Sequence, residues 1–285
     1  MDIVLGANRY GKAETRLVRV SRDGPEHRLT DLTVTVTLAG DLADTHLTGD
    51  NANVLTTDAQ KNTVYAFARR YGVGEIEDFG LRLARHFVDS QPSIHRARVR
   101  IEQYGWRRLG AHSFQREGGE VRTASVTCDG ERAWVVSGLT DLVLLNSTGS
   151  EFRDFVRDAY TTLAETDDRI LATAVTARWR HSTVDGDWAG SYEGARQLLV
   201  DAFVDTYSRS LQQTLYAMGR RLLEGRPELV EVRLALPNRH HFLVDLAPFG
   251  LDNPDEVYVA TDRPYGLIEG TVLREDAPDP GLAWW

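Results

Sequence analysis

The stretch Gly-Asp-Asn-Ala-Asn-Val-Leu-Thr-Thr-Asp-Ala-Gln-Lys-Asn-Thr, residues 49–63, joins a polar loop to the predicted start of a helix. Thr57 and Asp58 are residue types that favour the N-cap, where a side-chain oxygen accepts a hydrogen bond from a free backbone N–H. Apolar residues then recur with helical spacing at Val64, Phe67, Ala68 and Tyr71. We therefore predict a helix over residues 58–71 that ends at Gly72 and whose first turn can hold an anion or a planar acceptor.

A second helix is predicted over residues 75–90, with an apolar stripe on one face and Pro92 after its end. Strands flank this helix pair, because apolar and polar residues alternate on both sides of it. The predicted strands cover residues 16–20, 32–38, 97–101, 121–128 and 133–136. In the third of them Arg96, Arg98 and Arg100 alternate with apolar residues, which predicts a charged sheet face that is solvated or lines a barrel.

The same order of elements recurs in the second half of the chain. A strand is predicted over 169–179, helices over 191–207 and 208–224, and strands over 230–236 and 241–246. This repetition indicates an α+β fold of two similar modules, residues 1–137 and 138–285, each an antiparallel sheet with a helix pair on one face. Open sheet edges and an uncovered face favour closure into β-barrels by oligomerisation.

Composition limits the function classes. The chain has 285 residues, 42% of them hydrophobic and 26% charged, which is typical of a soluble globular protein. A net charge of −9 argues against a general nucleic-acid binder, and no apolar run is long enough to span a membrane. The single Cys128 excludes an internal disulfide. We expect a cytoplasmic protein, since neither a signal peptide nor a C-terminal peroxisomal signal is recognisable.

Three further stretches are rich in residues suited to chemistry. They are Asn146-Ser147-Thr148-Gly149-Ser150-Glu151-Phe152 with the run to Arg169, the helix start at residues 207–214, and Leu236-Pro237-Asn238-Arg239-His240-His241-Phe242. His240 and His241 are adjacent on a predicted strand and point to opposite faces, so we predict no metal site. Glycine-rich phosphate loops and a nucleophile elbow are also missing from the sequence.

Six segments of the chain, in order, resemble urate oxidase (uricase). The segments are Tyr10-Gly11-Lys12, Thr57-Asp58 with Lys61-Asn62-Thr63, Ser147-Thr148-Gly149-Ser150 with Phe152, Tyr160-Thr161-Thr162-Leu163 to Arg169-Ile170, Ser210-Leu211-Gln212 and Pro237-Asn238-Arg239-His240. The resemblance implies two tandem tunnelling-fold (T-fold) modules per chain, each with a four-stranded antiparallel sheet. It also implies a homotetramer of stacked barrels with active sites at subunit interfaces.

The resemblance further implies oxidation of urate by O2 and water to 5-hydroxyisourate and hydrogen peroxide, in purine catabolism, with no metal and no organic cofactor. Arg169 and Gln212 would bind one edge of urate, and Phe152 would stack on its ring. The remaining implied roles are the Leu211 backbone and Thr57 with Asp58 at other ring edges, Asn238 at the O2 and water position, and Lys12, Thr57 and His240 in a proton relay.

Each of these residues also fits an ordinary structural role, and it is their ordered combination that favours catalysis. Two alternatives remain open at this level. One is another T-fold enzyme acting on a purine or pterin, such as a relative of GTP cyclohydrolase, although such enzymes often need zinc and Cys128 is the only cysteine. The other is a catalytically inactive purine-binding scaffold on the same fold.

Overall fold

A computed structural model describes residues 2–285 and shows an α+β fold with antiparallel sheet and few helices. Contacts divide the chain into two compact units. Unit 1 contains the described residues up to Gly138 together with Trp179–Gly190 and Pro278–Trp285, and unit 2 contains Leu139–Arg178 and Ser191–Ala277. No helix among the described residues is long and apolar enough to cross a membrane. The module boundary after residue 137 stays a prediction.

Unit 1 is built on an antiparallel sheet with helices against one face. Its elements are β1 (Tyr10–Ser21), β2 (Arg28–Gly40), α1 (Ala43–Leu47), α2 (Thr57–Tyr71), α3 (Ile76–Ser90), β3 (Ile94–Gln103), β4 (Trp106–Arg108), β5 (Phe114–Arg116), β6 (Val121–Cys128) and the first part of β7 (Ala133–Asn146). The strand order is β1-β2-β3-β6-β7, and β4 pairs only with β5.

The core of unit 1 lies between this sheet and the helices. Val99 of β3 pairs in register with Val36 of β2 and Val126 of β6, and all three are buried. Phe79 and Phe87 of α3 are fully buried in the same cluster. Each such aromatic side chain contributes about 1.5–3 kcal/mol through its removal from water. Because side chains alternate along a strand, the neighbours of Val99 in β3 point to the opposite face of the sheet.

Unit 2 also combines antiparallel strands with helices. Its elements are the last part of β7, β8 (Leu171–His181) up to Arg178, α4 (Trp188–Asp205) from Ser191 onwards, α5 (Leu211–Gly225), β9 (Leu229–Leu243), a short 3-10 helix (Ala247–Phe249) and β10 (Tyr258–Leu273). β9 and β10 pair antiparallel, and α5 packs on both. Gly219 of α5 allows this close packing, because a Cβ there would lie 2.6 Å from Val272 Cγ2.

Most predicted elements are confirmed, with three corrections. β1 begins at Tyr10 rather than residue 16, so Lys12 lies on a strand. The two strands predicted at 230–236 and 241–246 are the single strand β9, Leu229–Leu243. The long strand β10 was not predicted, because its Arg263-Pro264 pair and polar residues obscure the alternation. Its pairing with β9 shifts between Thr261 and Gly266, which accommodates these residues as a bulge.

Candidate active site

The loop before α2 is fixed by two side chains. The Tyr10 hydroxyl donates to the Leu55 carbonyl oxygen at 2.8 Å, and the Gln60 side-chain amide donates to the same oxygen at 3.2 Å. Gln60 is completely buried, which makes this anchor rigid. Gly11 follows Tyr10 where β1 runs close to β2, since a Cβ there would lie 1.9 Å from the Val36 carbonyl oxygen. The predicted Tyr10-Gly11-Lys12 segment therefore positions the chain that leads into Thr57.

Helix α2 starts one residue earlier than the sequence indicated. The N-cap is Thr56, whose hydroxyl accepts from the Ala59 N–H at 3.1 Å, so the prediction of Thr57 or Asp58 as the cap was wrong. Thr56 can take this role because its backbone is extended while the next residues are helical. Thr57 is therefore the first helical residue, and its hydroxyl is not used for capping. The free N–H groups of the first turn lie beside it.

Asp58 is held in place by its own helix. Its carboxylate accepts from Lys61 Nζ at 2.6 Å and from the Asn62 amide at 2.8 Å. The pKa of Asp58 is lowered, first by the hydrogen bond and charge of Lys61 and to a smaller extent by Asn62 and the charge of Lys12. The hydrogen bond from Tyr10 to Leu55 places the start of β1, which carries the half-buried Lys12, beside the loop that leads into α2. Unit 1 thus brings Lys12, Thr57 and Asp58 together.

In unit 2, Asp168 organises the loop that carries Phe152. Its carboxylate accepts hydrogen bonds from the Thr148 hydroxyl at 2.5 Å, the Gly149 N–H at 2.9 Å and the Arg169 N–H at 3.0 Å. These bonds lower the pKa of Asp168, with the Thr148 hydroxyl as the largest cause. The carboxylate is therefore charged at neutral pH. It joins Thr148 and Gly149 of the loop to the backbone N–H of Arg169.

The Arg169 side chain packs against the Phe152 ring. Arg169 Cζ lies 5.1 Å from the ring centroid, and Phe152 stacks on Phe155 with centroids 5.0 Å apart. Two backbone hydrogen bonds between Phe152 and Thr166 hold the ring in this position. Burial lowers the pKa of Arg169, and its buried Nε has no hydrogen-bond partner within residues 2–285. A buried guanidinium nitrogen without an acceptor favours an anionic ligand at this place.

Helix α5 begins beside the same loop. The Ser210 hydroxyl accepts from the Gln213 N–H at 3.2 Å, which makes Ser210 the N-cap and Leu211 and Gln212 the first helical residues. Backbone hydrogen bonds from Ser208 to Gly149 and from Glu151 to Ser208 join the helix start to the loop. The side chain of Leu211 is buried, whereas Gln212 is exposed. The Leu211 N–H belongs to a first turn whose donors have no partner inside the helix.

Asn238 and His240 lie on β9 opposite the bulge in β10. Asn238 pairs with Gly266 and His240 with Thr261, so both half-buried side chains are on the same face of the strand. The pKa of His240 is lowered by burial and then by the positive charges of Arg169 and His241. The neutral imidazole of His240 can therefore accept a proton at neutral pH.

The structure thus collects the predicted residues into two groups. Lys12, Thr57 and Asp58 belong to unit 1, and the remaining six belong to unit 2: Phe152, Arg169, Leu211, Gln212, Asn238 and His240. The relay of Lys12, Thr57 and His240 involves both units and stays a prediction. Within residues 2–285, no group of three or more His, Cys, Asp or Glu side chains is arranged to hold a metal ion.

Sequence reasoning assigned no role to the three residues that position these groups. Asp168, Tyr10 and Gln60 each make hydrogen bonds to backbone atoms next to candidate site residues. Asp168 and Tyr10 did stand inside the segments that resembled urate oxidase. Their polar side chains next to Arg169 and Lys12 were the available signal, but a hydrogen bond to a distant backbone atom cannot be read from sequence spacing.

Comparison with known proteins gives a consistent result over nearly the whole chain. The family model described as "Uricase" matches residues 8–127 and 135–269. The uricase of Arthrobacter globiformis is 52% identical over 284 residues, covering 99% of this chain and 94% of the relative. The uricase of Dictyostelium discoideum is 38% identical, covering 94% of this chain and 96% of the relative.

Structural similarity agrees with the sequence comparison. The crystal structure of the Arthrobacter globiformis uricase superposes with a TM-score of 0.95 at 51% identity, with 98% of each chain covered. The α+β fold described above is therefore that of the solved uricase structures. On this evidence the chain belongs to the uricase family.

Proposed function

We propose that this enzyme oxidises urate with O2 and water to 5-hydroxyisourate and hydrogen peroxide. The reaction balances without another reactant: urate loses two electrons and gains a hydroxyl from water at C5, and O2 gains the two electrons and two protons. Membership of the uricase family supports this assignment. The alternative purine or pterin enzymes and the inactive scaffold have no observation in their favour.

The observation that carries the assignment is the arrangement around Arg169. Its guanidinium group lies over the Phe152 ring and keeps a buried Nε without an acceptor among the described residues. A planar anion stacked on Phe152 would supply that acceptor, and the planar arginine fork suits two hydrogen bonds to one edge of urate. The Gln212 side chain and the Leu211 N–H would contact the same ligand from the start of α5.

The residues of unit 1 would act on the other edge of urate. Thr57 and Asp58 stand at the start of α2, where backbone N–H groups are free to donate. We assign Lys12, Thr57 and His240 to a proton relay that removes the second urate proton and delivers protons to the reduced oxygen. Asn238 would hold O2 and later water above the ring. An electron-rich urate dianion can reduce O2 directly, so we propose that no cofactor takes part.

Loss of urate absorbance tests the function and the cofactor proposal together. Purified protein is dialysed against chelator, and urate loss, O2 uptake and peroxide release are measured. We expect equal rates before and after chelation, with one peroxide formed for each urate consumed. Activity that disappears with the chelator and returns with zinc, copper or iron would contradict the cofactor-free proposal, while absence of urate loss under all conditions would contradict the function itself.

The full architecture that we propose is two T-fold modules per chain in a homotetramer of stacked barrels. In this arrangement each site takes Lys12 and Thr57 from one chain and Arg169, Gln212 and Asn238 from another. The support is the uricase membership and the long strands β1 and β10, each of which pairs with only one neighbouring strand among the described residues. A flat ligand would then be bound between two chains.

Mixing two damaged chains tests the shared site. Lys12→Met and Arg169→Ala chains are co-expressed, so that a mixed pair has one doubly damaged site and one intact site. For random pairing about half of the pairs are mixed, and up to roughly a quarter of all sites are intact. We expect activity near that level, with each parent at its residual rate. Mixed oligomers confirmed by mass spectrometry but no more active than the parents would show that the site lies within one chain.

A further inference from the structure

The helix-free face of the unit 1 sheet carries a cluster of arginines that the proposed reaction does not use. Arg96, Arg98 and Arg100 alternate along β3 with Ala97, Val99 and Ile101, which are buried in the core. The three arginines therefore project from the opposite face. Arg9, which precedes β1, lies close enough for its charge to act on Arg98.

The aromatic ring of Trp285 brings three of these arginines together. The Cζ atoms of Arg96, Arg98 and Arg9 lie 4.9, 5.3 and 5.7 Å from the Trp285 ring. Each contact is a favourable cation–π interaction, but the three guanidinium charges repel one another. Contact with the ring accounts for the positions of these side chains. It does not account for the presence of three positive charges at one place.

The cluster lacks the acceptors that its donors need. The buried Nε atoms of Arg96 and Arg98 have no hydrogen-bond partner within residues 2–285. Burial lowers the pKa of Arg98 to about 10, with smaller contributions from the charges of Arg100 and Arg9. No acidic group of the described chain contributes to that shift. A buried guanidinium without an acceptor is costly, so an acceptor from outside the chain would stabilise this face.

A buried hydroxyl group beside Arg98 also lacks a hydrogen-bond partner among the described residues. Thr127 of β6 pairs in register with Arg98, and paired residues of antiparallel strands point to the same face. Thr127 is only 1% exposed, and its Oγ1 also has no partner among the described residues. The Thr127 hydroxyl thus lies on the same sheet face as Arg98, and Arg98 shares the Trp285 ring with Arg96. This combination of hydroxyl and guanidinium groups suits a small oxyanion.

We propose that Arg96, Arg98 and Thr127, with the Trp285 ring against the two arginines and with Arg9 and Arg100 nearby, bind a small inorganic oxyanion such as phosphate. The site is separate from the residues assigned to urate oxidation. Occupation of the site offsets part of the positive charge of the arginine cluster and stabilises the folded chain by mass action. The proposal can therefore be tested without any measurement of urate turnover.

Titration calorimetry with inorganic phosphate is the direct test. We expect saturable binding to the intact protein at constant ionic strength, with chloride unable to replace phosphate. Arg98→Gln should weaken phosphate binding by about tenfold or more, because a charged hydrogen bond is lost. Arg82→Gln is the matched control: it removes one charge from an exposed arginine that lies 5.2 Å from the Tyr71 ring, outside the cluster. Its phosphate affinity should be unchanged.

Thr127→Val is a second test of the site, which remains informative if Arg98→Gln does not fold. Valine has nearly the same shape, and the hydroxyl that it removes is buried without a partner. The free protein should therefore be as stable as the original or more stable, while phosphate affinity falls by about tenfold. These opposite effects distinguish binding from damage. The proposal is overturned by absence of saturable phosphate binding, by equal competition from chloride, or by unchanged affinity in both variants.

Discussion

The starts of α2 and α5 offer a comparison between the two units. Both helices have 15 residues, and each is capped by a hydroxyl that accepts from the third helical N–H, at 3.1 Å for Thr56 and 3.2 Å for Ser210. The residues proposed to bind urate then follow as the first two of each helix. The same backbone geometry thus presents free N–H groups in both units.

The two starts differ in how their side chains are used. In α2 the second helical residue, Asp58, is occupied by Lys61 and Asn62, and Lys12 lies near it. In α5 the second residue, Gln212, is exposed, and the cation proposed to bind urate, Arg169, lies outside the helix in the same unit. In the proposed assignment, similar helix ends therefore serve different chemistry: the first group contains the lysine of the proton relay, and the second contains the cation that binds urate.

Lys12→Met is expected to have the largest effect. If Lys12 moves protons, kcat should fall by about 100-fold to 10,000-fold, the usual contribution of general acid–base catalysis. Binding of a non-reacting urate analogue should survive. Lys61→Met serves as a control, because Lys61 is the other lysine at this helix start and is engaged with Asp58. Equal losses of kcat in the two variants would contradict a specific role of Lys12 in proton transfer.

Arg169→Ala should act on binding instead. Loss of charged hydrogen bonds to urate should weaken analogue binding by about tenfold to 100-fold. Arg153→Ala is the control, since Arg153 is an exposed arginine of the same loop that pairs with Asp167. The comparison between the units fails if Arg169→Ala lowers kcat while analogue affinity, measured by equilibrium titration, stays unchanged.

The pH dependence of activity tests the electrostatic effect of Arg169 on His240, both of which belong to unit 2. Its pKa lies below the ordinary 6.5, so activity should fall on acidification only once the pH passes below that value. Arg169→Gln removes one positive charge, and the midpoint of the residual activity should then move to higher pH. For stability the sign is the same: the unfolded chain binds this proton more readily, so folding weakens as pH falls below about 6.5. If Arg169→Gln leaves the pH midpoint unchanged, the charge of Arg169 does not lower the pKa of His240.

Removal of either cap should produce a smaller, matched effect. Thr56→Ala and Ser210→Ala should each lower the free energy of unfolding by about 1 kcal/mol, because each leaves one N–H of the first turn unpaired. Denaturant unfolding measures both values. Thr56→Ser keeps the hydroxyl and should restore most of the stability. A much larger loss at one helix than at the other would show that the two starts are not equivalent.

The sequence predicted the helices well, whereas its site residues stay predictions. The 3.6-residue periodicity placed α2 and α3 within a residue or two, since both bury one continuous face. It failed for β10, where most side chains are exposed and alternation carries little signal. It also misplaced the α2 cap, because Thr56, Thr57 and Asp58 are all good cap residues and only backbone conformation decides among them.

The sequence suggested candidate site residues but not the residues that hold them in place. Arg169 and Phe152 lie far apart in sequence, and their contact depends on Asp168 and on the backbone pairing with Thr166. Such tertiary hydrogen bonds leave no periodic trace in the sequence. The resemblance to urate oxidase gave the residues and their order, whereas the positioning by Tyr10 and Gln60 came only from the structure.

Asp58→Asn should have the smallest effect on stability and provides the finest test of the comparison. The substitution keeps the shape of the side chain and removes its charge, and the ion pair with Lys61 is exposed to solvent. Exposed ion pairs contribute little and are screened by salt. Because the pKa of Asp58 is lowered on folding, its contribution exists above the unfolded value of 3.8 and is lost as the pH falls. The Tm difference from the original protein should therefore be small at neutral pH and low salt, and vanish at low pH or high salt. Asp168→Asn, which disturbs three loop hydrogen bonds of 3.0 Å or less, should lower both Tm and analogue affinity more. A larger loss of Tm for Asp58→Asn than for Asp168→Asn would mean that the α2 start depends on its carboxylate and not on the Thr56 cap.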